Sequence, residues 1–271
     1  MSKKLDFIIT GVMKCGTTSL GEYIQKHEEI AIPDWEVGFF TKPKRFKKGY
    51  SYYEDFVGKY ADSKTKIRGE KTPYSFDKKI TPMIHTYNPD IKLIFIFRNP
   101  TSRAWSNYGH DLWNLDEWKS FERCLKEEEN RELLYQYKSK GRYVEQIEDY
   151  LQYFKKEQML FLLFEDFIVD RETSLRKVFS FLEVDPDNYD YSLEIHSKKS
   201  YHPRMNTRFL IWYKKTFGKK NLLWGKLWWF HFKGNLKKKI PSEMKKQLDE
   251  YYQVYNQELE NKYGVDTSKW K

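Results

Sequence analysis

The chain has 271 residues, of which 39% are hydrophobic and 18% aromatic, and its formal net charge is +10. This length suffices for one large α/β domain or two small ones, and the apolar content excludes a disordered chain. A basic excess fits nucleic acid, an anionic membrane surface or an anionic small substrate as partner, and composition does not separate these three.

The two cysteines, Cys15 and Cys124, are too few for a disulfide framework or a metal cluster, and they favour free thiols in a reducing compartment. The apolar run near the N-terminus is too short for a signal peptide. The longest apolar stretches, such as the tryptophan-rich Leu222–Phe232, fall short of the ~20 residues of a membrane span. We therefore expect a cytoplasmic protein without a transmembrane segment.

Three apolar runs, Asp6–Thr10, Lys92–Phe97 and Met159–Phe164, predict strands that are buried on both faces of a parallel sheet. Segments with helical character lie between and after them. These segments are Thr17–Gln25, Phe121–Tyr137, Tyr143–Phe154, Ser174–Leu182 and Pro241–Tyr263, the last with Gly264 as its stop. The alternation predicts an α/β fold, a P-loop-like three-layer sandwich with a central, mostly parallel sheet flanked by helices.

The chain has no internal repeat and no convincing linker, so we expect a single domain over residues 1–271. Lys42–Tyr53 is predicted to be an exposed connection, and Ser197–Arg208 a loop. The aromatic and basic stretch Trp212–Lys239 has three open interpretations: helix packing with a solvated face, a wall on which an acceptor sugar stacks, or peripheral membrane contact.

The segment Gly11–Leu20 follows the first strand and opens a helix. Its glycines allow a tight turn, and the helix N-terminus offers free N–H donors and a positive dipole end to an anion. It therefore predicts a phosphate-binding loop, but Lys14 precedes Gly16, whereas an ATPase loop of the Walker A type ends in Gly-Lys-Ser/Thr. The candidate anion-binding residues are Lys14, Cys15, Gly16, Thr17, Thr18 and Ser19.

A second motif, Phe97–Tyr108, stands at the end of the second predicted strand. Binding sites in open parallel sheets lie at the carboxyl ends of the strands. Arg98, with Ser106 on the following helix, is therefore a candidate for gripping a second phosphate by charge-assisted hydrogen bonds.

Together these motifs resemble those of the PAPS (3'-phosphoadenosine-5'-phosphosulfate)-dependent sulfotransferases, whose members carry a Lys-x-Gly-Thr-Thr-x-Leu loop and an Arg-Asn-Pro element followed by Arg-Ala-x-Ser-x-Tyr. The resemblance implies that the loop holds the 5'-phosphosulfate, that Arg98 and Ser106 hold the 3'-phosphate, and that Lys14 stabilises the leaving PAP. Arg204 is a further candidate, which would close over the nucleotide from a late loop. No acidic cluster accompanies the phosphate loop, so we expect no metal.

The resemblance extends to the heparan-type glycan branch, in a soluble, bacterial-like form. Glu36–Phe40 is similar to the segment of that branch that carries the catalytic base, and Gly69–Pro73 to a segment whose lysine lies at the catalytic centre. The resemblance thus implies that Glu36 is the base and that Lys71 holds the sulfuryl oxygens, with a carbohydrate or glycolipid as acceptor. Trp35 replaces the usual lysine before the base, and a cysteine pair of the heparan enzymes is absent. O- and N-sulfation both stay open.

Two rival functions come from other classes. A P-loop kinase or other NTPase should carry a Mg²⁺-binding aspartate at a strand end, where this chain has Arg98. A non-enzymatic nucleic-acid binder needs a clustered basic face, whereas the charges here are spread along the chain, so we expect no nucleic-acid partner.

Overall fold

The computed structural model describes residues 3–195, 207–217, 227 and 239–270. The chain folds into two compact units. The first comprises Met1–Asn99, Arg142–Ser197 and Val254–Lys271, and the second Pro100–Gly141 and Lys198–Gln253. A single functional domain over residues 1–271 stays a prediction.

The first unit is built on a five-stranded parallel sheet with the order β2-β3-β1-β4-β5. Its strands are β1 (Phe7–Gly11), β2 (Ile30–Ala31), β3 (Ile67–Lys71), β4 (Lys92–Phe97) and β5 (Met159–Leu163). All of β1 and all but the first residue of β4 are buried, as in strands that are covered on both faces. The predicted α/β fold is confirmed, and each of the three apolar runs forms a strand.

The described residues form eleven α-helices. They are α1 (Thr17–Ile24), α2 (Pro43–Phe46), α3 (Gly49–Gly58), α4 (Thr81–Tyr87), α5 (Pro100–Asn114), α6 (Phe121–Lys126), α7 (Tyr143–Leu151), α8 (Phe164–Val169), α9 (Arg171–Leu182), α10 (Thr207–Phe217) and α11 (Ser242–Tyr263). The closing helix is confirmed as α11, and Gly264 follows it with the positive φ of 70° that lets a glycine end a helix. None of the described helices is long and apolar enough to cross a membrane.

The segment Lys42–Tyr53, predicted to be an exposed connection, is mostly exposed, but it is helical, because it contains α2 and the first half of α3. Its aromatic side chains point inward. Tyr53 is fully buried and its ring stacks on Phe39 with centroids 4.3 Å apart. Burial of aromatic surface at helical spacing outweighs the local excess of lysine and glycine.

The prediction of one helix over Phe121–Tyr137 is wrong beyond Lys126, where short 3-10 turns follow α6. The buried Glu128 carboxylate accepts hydrogen bonds from the backbone N–H groups of Tyr137, Lys138 and Ser139. A carboxylate that binds three backbone donors stabilises a turn in place of a helix.

The second unit buries an unusual amount of charge around α5. Arg103 is fully buried and donates to the carbonyl of Tyr137 and to the side chain of Asn107. Lys140 is 1% exposed and donates to the carbonyl of Leu134. Burial and the nearby Arg103 charge lower the pKa of Lys140 to about 7.

This lowered pKa makes stability depend on pH. Between about pH 7 and 10.5 the unfolded chain holds the Lys140 proton and the folded chain does not, so the stability of the folded state rises with pH in that window. Lys140→Met should remove this rise, on the order of 1 kcal/mol per pH unit, in thermal melts at pH 6, 8 and 9.5. The exposed Lys126→Met is the control, and a Lys140→Met profile parallel to the wild-type profile would contradict the assignment.

Candidate active site

The predicted phosphate loop joins β1 to α1. Gly16, at the N-cap of α1, has a φ of 97°, and no side chain caps this helix end. Lys14 also has a positive φ, of 67°, which is uncommon and costly for a residue with a side chain. The loop therefore leaves the first N–H groups of α1 unbonded by a capping side chain, as anion binding at a helix N-terminus requires.

Arg98 lies against this loop. The β1–β4 register pairs Gly11 with Phe95, and β4 then ends directly before Arg98. The Arg98 guanidinium lies 3.5 Å from the carbonyl oxygen of Lys14 and 4.9 Å from the ring centre of Phe164. The structure thus brings two predicted anion-binding groups together at the carboxyl edge of the sheet.

Tyr143 links the two motifs. Its hydroxyl donates to the carbonyl of Arg98 at 2.8 Å and lies 3.6 Å from the sulfur of Cys15. Cys15 is fully buried, so the thiol packs beneath the loop. Among the predicted loop residues, Thr17 is buried, Ser19 is partly exposed and Thr18 is exposed.

The turn after Arg98 is fixed by a carboxylate in the first turn of α8, the helix that follows β5. Glu165 accepts hydrogen bonds from the Asn99 backbone N–H and from the Trp270 indole, both at 3.0 Å. The Asn99 side-chain amide in turn donates to the Trp270 carbonyl at 2.6 Å. Trp270 therefore helps to fix the backbone at Asn99, directly after Arg98.

Lys71 is the last residue of β3, paired with Ile9 of β1. It is 2% exposed, and its Nζ has no hydrogen-bond partner among the described residues. A Cβ at Gly21 of α1 would come within 2.4 Å of the Lys71 side chain, so only glycine lets the lysine pass the helix. Burial lowers the pKa of Lys71, and the carboxylates of Glu22, Asp34 and Glu36 oppose that shift.

Glu36 stands on the loop after β2 with its side chain exposed. The loop backbone is held directly after Glu36: the Arg45 guanidinium donates to the Val37 carbonyl, and the Gly38 N–H donates to the Thr72 hydroxyl at 3.0 Å. The predicted base is therefore an exposed carboxylate on an anchored backbone, and its charge acts on Lys71.

Trp35 packs within a small cluster of side chains next to Glu36. Its indole N–H donates to the Tyr60 hydroxyl at 3.1 Å, Phe56 packs edge-on against it, and the Arg45 guanidinium lies 4.8 Å from its ring centre. The ring is still 41% exposed, directly before Glu36.

Three further predictions fall in the second unit or outside the described residues. Ser106 is a partly exposed residue of α5 in the second unit. Arg204 and most of Trp212–Lys239 lie outside the described residues. Within the part of the chain that the structure describes, no group of three or more His, Cys, Asp or Glu side chains could hold a metal ion.

Sequence reasoning missed the residues that support the site. Glu70, Thr72 and Tyr53 form a buried polar cluster, and Gly21 makes room for Lys71. The Glu-Lys-Thr run of residues 70–72 was visible, but only the pairing of β3 with β1 shows that Glu70 and Lys71 point to opposite faces.

These features define an α/β protein with a glycine-containing loop and an uncapped helix N-terminus at the carboxyl edge of its sheet. Residues 4–264 match the family model described as the sulfotransferase domain. The chain belongs to the sulfotransferase domain family.

Curated relatives include the heparan sulfate glucosamine 3-O-sulfotransferase 3B1 of Mus musculus, 28% identical over 263 residues, which are 96% of this chain and 63% of the relative. The 3-O-sulfotransferase 6 of Homo sapiens is 26% identical over 96% of this chain and 72% of its own length. The chain thus spans somewhat less than two thirds of the length of the first of these relatives.

Solved structures agree on the fold. A sulfotransferase from Alicyclobacillus acidocaldarius superposes with a TM-score of 0.72 at 22% identity, covering 99% of both chains. The mouse sulfotransferase SULT7A1, solved in complex with PAP, has a TM-score of 0.54 at 16% identity over 99% of this chain and 87% of its own.

The buried Lys71 ammonium, which has no hydrogen-bond partner among the described residues, should lower the stability of the folded protein. Lys71→Met keeps the length of the side chain and removes a buried charge, so it should raise the melting temperature at pH 7 by about 2–4 °C, corresponding to about 1 kcal/mol. Because the folded-state pKa is lowered, the wild-type deficit should shrink as pH rises from that lowered pKa toward 10.5.

Thermal melts of both proteins at pH 7 and 9.5 measure this difference, with the exposed Lys64→Met as control. A Lys71→Met protein that is less stable than the wild type at pH 7 would show that its ammonium is stabilised in the folded protein.

Proposed function

We propose that this chain transfers the sulfuryl group of PAPS to a hydroxyl or amine of a carbohydrate, free or lipid-linked. The observation that carries the proposal is the buried, unpartnered Nζ of Lys71 at the same sheet edge as the phosphate loop. A buried ammonium without a partner is costly, and an anionic group bound at this edge would supply the missing acceptor.

The residues at this edge fit the two ends of PAPS. The N–H groups of Gly16 and the first turn of α1, with the hydroxyls of Thr17, Thr18 and Ser19, would hold the 5'-phosphosulfate. Arg98 would hold the 3'-phosphate, and the roles of Ser106 and Arg204 stay predictions from the family resemblance. PAPS supplies an activated sulfuryl group whose leaving group is the phosphate of PAP.

Transfer requires an acceptor atom to form a bond to sulfur while the bond from sulfur to the phosphate oxygen breaks. Glu36 would take the acceptor proton, since it is an exposed carboxylate on an anchored loop. Lys14 would neutralise the charge that grows on the phosphate oxygen, and Lys71 the sulfuryl oxygens. These roles are mainly positioning and neutralisation of charge, and each uses a residue at the carboxyl edge of the sheet or on its loops.

The carbohydrate acceptor is supported by the relatives, which are named for transfer to heparan sulfate glucosamine. The exposed Trp35 beside Glu36 supports it as well, because an indole face can pack on the C–H face of a sugar ring. A kinase has no support of this kind, because the residue directly after β4 is Arg98 rather than an aspartate.

Donor binding can be tested by calorimetric titration with PAP in the absence of metal. Arg98→Ala should weaken PAP binding by about 10–100-fold, since it removes charge-assisted hydrogen bonds to a phosphate. Arg176→Ala, which removes a surface arginine on α9, should bind like the wild type. Binding of ATP only with Mg²⁺, and none of PAP, would overturn the donor assignment in favour of a kinase.

Catalysis can be tested with sulfur-35-labelled PAPS and heparan sulfate, alongside a panel of other oligosaccharides. Glu36→Gln should lower the turnover number by on the order of 10²-fold, because the amide cannot accept the proton, while PAP affinity is unchanged. Glu28→Gln, an exposed substitution just before β2, is the matched control. Full turnover in Glu36→Gln would remove it as the base.

A further inference from the structure

Glu70 is a buried carboxyl group with three hydroxyl neighbours. It is fully buried and accepts hydrogen bonds from Tyr53 at 2.5 Å, from Tyr74 at 2.8 Å and from Thr72 at 2.8 Å. Burial raises its pKa, and these hydrogen bonds oppose the rise. Within the described part of the chain no lysine or arginine forms an ion pair with it, so its polar contacts are hydroxyl and backbone donors.

Glu70 and its hydroxyl neighbours contact the loop that carries Glu36 at two points. The Thr72 hydroxyl donates its proton to Glu70 and accepts the N–H of Gly38, which ties the loop backbone to the carboxyl group. Tyr53, which donates to Glu70, stacks its ring on Phe39. Gly38 also has a φ of 60°, so the loop takes a left-handed backbone conformation at the point where it is tied.

β3 therefore presents two charged groups to opposite faces of the sheet. Lys71 passes along Gly21 of α1, whereas Glu70 meets Tyr53 of α3. Successive side chains of a strand alternate in this way. β3 thus places the candidate catalytic lysine on one face of the sheet. On the other face it places Glu70, which anchors the loop that carries the candidate base.

We propose that Glu70 is a positioning residue that, through Thr72 and Tyr53, fixes residues 36–40 and thereby holds the Glu36 carboxylate in place for proton transfer. The hold on the loop rests on contacts in the structure. Its consequence for catalysis rests on the proposed sulfotransferase function. A buried, fully bonded polar cluster specifies one backbone arrangement in a way that apolar packing does not.

The first arm of the test needs no activity. Amide hydrogen exchange of a peptide covering residues 36–40 should be at least tenfold faster in Thr72→Val, which keeps the shape of threonine and loses the hydroxyl. Thr72→Ser, which keeps the hydroxyl, should restore slow exchange. Equal exchange in the valine and serine variants would overturn the proposal.

Two tyrosines in the same aromatic cluster provide a matched pair. Tyr53→Phe removes a donor to Glu70 and should speed exchange at residues 36–40. Tyr87→Phe removes a similarly buried hydroxyl, which bonds the backbone N–H of Leu5 and the Glu54 side chain, and should leave exchange in that peptide unchanged. The same acceleration in both variants would mean general loosening of the core and would count against Glu70.

The second arm measures PAP affinity by calorimetry and turnover with PAPS and heparan sulfate. Thr72→Val should lower the turnover number about tenfold or more, with the PAP dissociation constant and the KM for PAPS within twofold of wild type, and Thr72→Ser should recover most of the loss. A rise in the PAP dissociation constant equal to the loss in turnover would show that the cluster does not act through the Glu36 loop.

Failure of the proposed function would look different. If the wild type neither bound PAP nor consumed PAPS, the exchange results would still decide whether Glu70 holds the loop. Conversely, normal transfer by the wild type with unchanged exchange and turnover in Thr72→Val would remove the positioning role and leave the sulfotransferase proposal standing.

Discussion

The parallel pairing of β1 with a strand on each side is the constraint on which the rest of this structure depends. Ile9 pairs with Lys71 of β3, and Gly11 pairs with Phe95 of β4. Parallel strands end at the same edge of a sheet. This edge, at the point where the strand order reverses, therefore carries the predicted phosphate loop, Lys71 and Arg98. The α1 N-terminus, a helix end without a side-chain cap, lies there as well.

The strand β3 buries two ionisable side chains near this edge, and their burial costs folding free energy. Lys71 and Glu70 are both almost fully buried on one short strand, and neither has an ion-pair partner within the described residues. Buried ionisable groups of this kind are expensive and cluster at functional sites. Glu70 is satisfied by hydroxyls within the protein, whereas the Nζ of Lys71 has no hydrogen-bond partner among the described residues.

The region around Glu36 is where this chain differs from the glycan sulfotransferases it resembles. Trp35, in the place of a lysine, is supported by Tyr60, Phe56 and Arg45 and still exposes its ring. Trp35 thus presents a supported aromatic surface directly before Glu36.

The sequence by itself determined the fold class, the three strands β1, β4 and β5, and the positions of the two candidate anion-binding motifs. Apolar strands and a glycine-rich turn before a helix are local patterns whose physical cause lies within a few residues. It also singled out Glu36 and Lys71, but only through resemblance to a family, since a lone glutamate or lysine has no local signature of function.

Tertiary structure decided the rest. β3 escaped detection because Ile-Arg-Gly-Glu-Lys lacks an apolar run, and its strand character depends on pairing with Phe7–Ile9. The helices in Lys42–Tyr53 form because aromatic side chains find a cluster contributed by distant segments. The hydrogen bond of Tyr53 to Glu70, the close approach of Lys71 to Gly21 and the hydrogen bond of Trp270 to Glu165 join residues that are 17, 50 and 105 positions apart. Such contacts arise from the packing of the sheet and its helices, and no local pattern in the sequence encodes them.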